Sequence, residues 1–214
     1  LARAIDHAVH RRWYSLATII AHSSSRNLHK LDPQVGATLL VATAQLLLLD
    51  RIPDHAVIHS AVDWIKSQGE RPRASGFVNA VLRKITRIRG NKVQIGVAGN
   101  AFHFTRNDGS AWEFTEPVFE NNIANQFGFS QKTWERIVED FGEELAMCIG
   151  INSLVEPPII VTCPSNCSLP KEVIPHIQDG FGVIPPEINL SEMLQKNPNM
   201  RDRKSTRLNS SHEW

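Results

Sequence analysis

The sequence predicts a mainly α chain: a helical bundle, then a β-hairpin linker, then the start of an α/β subdomain. Three observations carry this reading. Residues 31–82 hold three apolar patterns at helical spacing, separated by short turn signals. Two alternating runs, Ala101–Thr105 and Ala111–Thr115, flank a turn containing Asp108-Gly109, a hairpin signature. Finally, Pro157-Pro158 introduces the buried-strand pattern Ile159–Cys163.

The first pattern opens at Asp32-Pro33, an N-cap followed by proline where its missing N–H is not needed. Val35, Leu39, Val41, Ala42, Leu46, Leu47 and Leu49 cover most of its circumference, as expected of a central core helix. Ile52-Pro53-Asp54 ends it and is expected to cap the next helix, which carries Val57, Ile58, Ala61, Val62 and Ile65. Gly69 to Pro72 breaks that helix. Ser75 is expected to cap a third, with Phe77, Val78, Val81, Leu82, Ile85 and Ile88 as its apolar stripe. Upstream, residues 1–9 read as one helix and Arg12–His22 as another, with Trp13, Leu16, Ala17, Ile19 and Ile20 as its buried side. Ser23–Asn27 is a polar loop.

Beyond the bundle, the aromatic stripe Phe102, Phe104, Trp112 and Phe114 is expected to pack against a neighbouring domain, because exposed apolar patches are uncommon. Ser130 caps a helical pair carrying Trp134, Ile137, Val138 and Phe141, then Leu145, Ala146, Ile149 and Ile151. Lys171–Ile177 reads as a short helix, Gly180–Pro186 as a loop and Ser191–Lys196 as a further helical turn.

The 214 residues are 42% hydrophobic and 21% charged, as in soluble globular proteins, and the net charge of +1 does not by itself announce a nucleic-acid partner. Local clustering does. Between residues 71 and 92 the charge is one-sided: Arg71, Arg73, Arg83, Lys84, Arg87, Arg89 and Lys92, with Glu70 just outside. Arg83 and Arg87 lie one turn apart, Lys84 beside them and Asn79 one turn earlier, opposite the apolar stripe. Such a strip could position phosphates or could be a solvated face whose cations suit the helix C-terminus. The longest apolar run is too short to span a bilayer, so no membrane partner is expected.

The run DRIPDHAVIHSAVDWIKS followed by GFVNAVLRKI resembles the end of the NusB-like RNA-binding domain, in the version fused to the front of the Sun/Fmu (RsmB) ribosomal RNA cytosine-C5 methyltransferases. TWERIVEDFGEELAMCIGINSLVEPPIIVTCPSN is similar to the segment leading into the catalytic region of those enzymes. Three cysteines, an odd number, without a secretory signal pattern favour a reducing cytoplasm, and the bundle's helices could also dock a ribosomal protein. The resemblance implies RNA binding by Arg71, Arg73, Asn79, Arg83, Lys84, Arg87, Arg89 and Lys92, with 16S ribosomal RNA as partner. It implies S-adenosylmethionine as cofactor of the intact parent and none in this chain. It divides the chain into an N-terminally truncated RNA-binding domain (1–92), a hairpin linker (93–129), a connector with the first elements of the methyltransferase subdomain (130–201) and a tail (202–214). The tail matches the translation of a sequencing adapter and is expected to be an artefact. A standalone antitermination factor that regulates transcription and a helical protein-interaction module are the alternative functions.

Cytosine methylation needs an activated cysteine and a donor-binding glycine-rich turn. Cys148 reads as core, Cys163 ends a strand and Cys167 follows it, and no second pair completes a zinc site. His7, His10, His22 and His29 likewise lack a completing ligand set. No catalytic, cofactor or metal residue is therefore expected, and the chain itself is expected to be inactive.

Overall fold

The structure, a computed structural model, describes residues 1–69, 72–94, 101–120, 122–155, 159–163, 169–185 and 188–202. It divides into two compact units, 1–156 and 157–214. In the first, α1 (Ala2–Arg11) and α2 (Trp13–Ser24) are separated only by Arg12, and a short 3-10 turn (Leu28–Lys30) leads to α3 (Pro33–Leu48). The Asp32 carboxylate accepts from the N–H groups of Gln34 and Val35, the cap expected from Asp32-Pro33. Helix α3 is buried on nearly every side and forms the centre of the bundle, with α4 (Asp54–Ser67) and α5 (Pro72–Ile88) against it. Leu16, Ile19, Ile20, Leu39, Leu47, Ile65, Leu82 and Ile85 are fully buried.

The expected Ile52-Pro53-Asp54 cap of α4 is present, with Pro53 as the N-cap residue and no side-chain bond; Asp54 lies in the first turn, where its carboxylate is taken by Arg89. Two local expectations are corrected. Ser75 does not cap α5; the helix starts at Pro72, so Ser75 is a buried residue of its first turns. Trp13 is 44% exposed, since α2 turns the neighbouring Leu16, Ile19 and Ile20 inward.

Helix α5 passes directly into β1 (Arg89–Gln94), which pairs antiparallel with β3 (Ser110–Phe114), itself paired with β2 (His103–Thr105). The β2–β3 turn is closed by Arg106 N–H to the Ser110 carbonyl (2.7 Å), with Gly109 at φ +80°. The segment expected as a linker is part of the bundle's core: Phe104, Phe114, Val118 and Phe119 join the same buried cluster as the helices. The reason lies at the end of α3. Its last carbonyls have no intrahelical partner, and the sheet supplies donors: Arg89 Nη1 to Leu46 O (2.7 Å), and Arg106 Nε (3.1 Å) and Trp112 Nε1 (2.9 Å) to Leu47 O.

Helices α6 (Ile123–Gln126), α7 (Gln131–Phe141) and α8 (Glu143–Leu154) enclose a smaller cluster built on Ala124, Phe127, Trp134, Ala146 and Leu154. Ser130 caps α7 as expected. The α1–α2 junction holds this layer. Arg11 Nη2 donates to the carbonyls of Ser153 and Val155, both at 2.7 Å, while Ser15 Oγ donates to Asn125 O.

In the second unit, β4 (Ile159–Thr162), β5 (Ile174–Pro175), β6 (Phe181–Ile184) and β7 (Arg201–Asp202) form an antiparallel sheet in the order β5-β6-β4-β7, accompanied by α9 (Leu190–Lys196). Lys171–Ile177 is turn and strand rather than helix, because Pro175 forces Ile174 into an extended conformation. Gly180–Pro186 is not a loop either: Phe181–Ile184 is the strand β6, and Gly182 lets Val173 and Leu169 approach its backbone. Pro157-Pro158, Pro164–Cys167, Pro186 and the tail 203–214 lie outside the described residues.

Candidate nucleic-acid interface

Helix α5 separates its residues into two faces. Val78, Val81, Leu82, Ile85 and Ile88 enter the core, leaving Arg73, Arg83 and Arg87 exposed. Arg83 Nε donates to Asn79 Oδ1 (3.1 Å), which fixes the guanidinium against its own helix. Among the described residues no carboxylate pairs with Arg73, Arg83 or Arg87. Asn79 and Arg83 also line a groove of about 870 Å³ between α4 and α5, whose other wall presents His55 and His59. These two histidines were not singled out from the sequence. Their i, i+4 spacing on α4 is the signal that could have found them.

The remaining basic residues point elsewhere. Lys84 Nζ donates to the His22 carbonyl (3.3 Å) at the end of α2, beside Glu116. The Glu116 carboxyl is held below its usual range, first by its hydrogen bond to His22 and further by the Lys84 charge. Arg89 is committed to Asp54 (2.6 and 3.1 Å) and Leu46 O, with its guanidinium 4.5 Å from the Trp112 ring centre. Lys92 Nζ sits 3.0 Å from Asp108 and 3.7 Å from Asp50. Arg71 lies outside the described residues. The structure thus brings Asn79, Arg83 and Arg87 together on the face that begins with Arg73, and turns Lys84, Arg89 and Lys92 into internal ties.

Cys148, expected in the core, is exposed on α8, because Ala146 and Gly150 are the residues of that turn facing the small cluster. Cys163 is buried, and Cys167 is outside the described residues. Among the described residues no three His, Cys, Asp or Glu side chains gather around a common point, and no helix is long and apolar enough to cross a membrane. A nucleotide-like methyl donor is usually held where a parallel strand feeds a glycine-rich turn and helix. The described strands pair antiparallel.

Residues 1–87 match the NusB family and form a NusB domain. Over 185 residues, 84% of its length, the chain is 27% identical to ribosomal RNA small subunit methyltransferase B of Xylella fastidiosa, covering 42% of that protein. It is 37% identical over 87 residues to the protein of the same name in Xanthomonas campestris, covering 41% of this chain and 20% of the relative. With the probable ribosomal RNA small subunit methyltransferase B of Bacillus subtilis it shares 45% identity over 58 residues, 27% of this chain and 13% of the relative. The chain spans less than half the length of the curated relatives it matches.

Proposed function

We propose that this chain is the RNA-holding, substrate-positioning part of a ribosomal RNA small-subunit methyltransferase, acting on 16S ribosomal RNA through the exposed face of α5. The observation that carries this reading is the set of exposed guanidinium groups at Arg73, Arg83 and Arg87 on one rigid helix, with no carboxylate partner among the described residues. Their neighbours Arg89 and Lys92 are neutralised by Asp54, Asp50 and Asp108. Arginines held on a helix suit phosphate, because the guanidinium is always charged and presents donors in a fixed plane. Such contacts fix the RNA's register without reading its sequence.

The similarity to the Xylella protein extends over 84% of the chain, well past residue 87, which favours a NusB domain joined to more protein over a standalone antitermination factor. No residue of this chain is assigned a catalytic role. S-adenosylmethionine and the nucleophilic cysteine belong, in this reading, to the rest of the enzyme. Photo-crosslinking of a 16S fragment followed by peptide mapping tests the assignment. Crosslinks are expected on peptides spanning Asn79–Arg87 and the facing His55–His59 turn. Crosslinks confined to other surfaces would overturn it.

A further inference from the structure

Gly76 stands in the second turn of α5, exposed, and a Cβ built on it would meet nothing within 4 Å. Glycine is the weakest helix former after proline. Its φ is not positive and no neighbour crowds it, so nothing inside the described structure requires a glycine there. What the missing side chain leaves is space, and that space belongs to the groove of about 870 Å³ between α4 and α5.

The α4 side of this groove carries the half-buried Ile58 and Val62 and the exposed imidazoles of His55 and His59. Asp63, one turn on, holds the His59 ring, with Nδ1 3.0 Å from Oδ2. The α5 side carries Asn79 and Arg83. A guanidinium only donates, so the Asn79 atom 3.1 Å from Arg83 Nε is the amide oxygen. That assignment leaves the Asn79 Nδ2 donors and both terminal nitrogens of Arg83 without an acceptor among the described residues. Asp54, the carboxylate on the wall, is already committed to Arg89. The groove thus combines apolar surface, flat rings, free donors and an unneutralised cation.

We propose that this groove takes an unpaired nucleotide of RNA, its base in the space beside Gly76, an acceptor on the base edge facing Asn79 Nδ2, and its phosphate on Arg83. A base is flat and acceptor-bearing and stacks on imidazole or guanidinium planes, which a splayed single strand permits. A base inside an A-form duplex is stacked on both faces and cannot enter, so the site selects single-stranded over paired RNA. The inference rests on the proposed RNA-holding role of α5 and adds which form of RNA is held there.

Binding of two RNA oligonucleotides of equal length, one unpaired and one fully paired, to the full chain and to Gly76→Leu across a salt series tests this. The open space at Gly76 accommodates leucine without touching the core, so Tm is expected not to fall. Unpaired RNA is expected to lose affinity on the order of tenfold, with an unchanged salt slope because no phosphate contact is removed. Paired RNA is expected to bind both proteins alike. Unaltered affinity of Gly76→Leu for unpaired RNA, or an equal loss for paired RNA, would overturn the groove. A second readout needs no variant: 2-aminopurine, placed at successive positions of the unpaired RNA, is expected to change its emission on binding where the base leaves its stack. Emission unchanged at every position would also overturn the groove. If the unaltered chain binds neither RNA, the α5 reading itself fails and the groove with it.

Discussion

Arg89 Nη2 lies 2.6 Å from Asp54 Oδ2, tying the residue that follows α5 to the first residue of α4. The same guanidinium reaches the Leu46 carbonyl at the end of α3, so one side chain joins three helices. Removing it leaves a carboxylate and a helix-end carbonyl unpaired. Arg89→Met is expected to lower stability by about 2–3 kcal/mol. Arg83→Met, on the exposed face, is expected to change it by less than about 0.5 kcal/mol. Denaturant unfolding of both variants checks the contrast, and equal losses would contradict the division of the basic residues.

Gly90 sits where β1 shifts register against β3, and a Cβ there would meet the Glu113 carbonyl oxygen. Backbone cannot retreat as a flexible side chain can. Gly90→Ala is expected to cost about 1–3 kcal/mol and to loosen amide protection in β1 and β3. Gly76 has open space around it in mid-α5, so Gly76→Ala is expected to stabilise by about 0.5–1 kcal/mol. Hydrogen exchange with denaturant unfolding measures both, and a neutral Gly90→Ala would mean the strand pairing is looser than described.

The Asp108 carboxyl is held at about 2, below its ordinary 3.8. Burial pushes it up, but the Ser110 hydroxyl, Lys92 and the Ser110 N–H outweigh that, with Arg106 adding attraction. Since the folded pKa lies below the unfolded one, the associated stability is fully present above about pH 5 and disappears as pH falls through about 4 to 2. Asp108 is half exposed, so solvent screening keeps the effect modest. Asp108→Asn is expected to flatten the acid side of the stability profile in urea. An unchanged acid limb would contradict the assignment.

Local chemistry was legible in the chain, and distant partnership was not. Asp32-Pro33 and Ser130 signal their caps within three residues, and the structure has both. Arg83 and Arg87 are exposed because the stripe Val78–Leu82–Ile85 already fixes which side of α5 is buried. Arg89 and Lys92 look identical to them in composition, yet Asp54, Asp50 and Asp108 reach them only once the chain folds. The hairpin was readable from Asp108-Gly109, but its attachment to the bundle depends on α3 carbonyls that no sequence pattern marks. Lys171–Ile177 misled because its apolar spacing suits a helix while Pro175 forbids one.

RNA affinity against salt, for the unaltered chain and for Arg83→Gln and Arg87→Gln, tests the central claim most directly. Each cation that touches phosphate should reduce the log–log slope by about 0.7–1 when removed, with Tm unchanged. The double variant should lose about 1.4–2 in slope and bind 16S fragments more weakly at every salt concentration. Slopes and affinities equal to those of the unaltered chain would show that the exposed face of α5 does not hold the RNA.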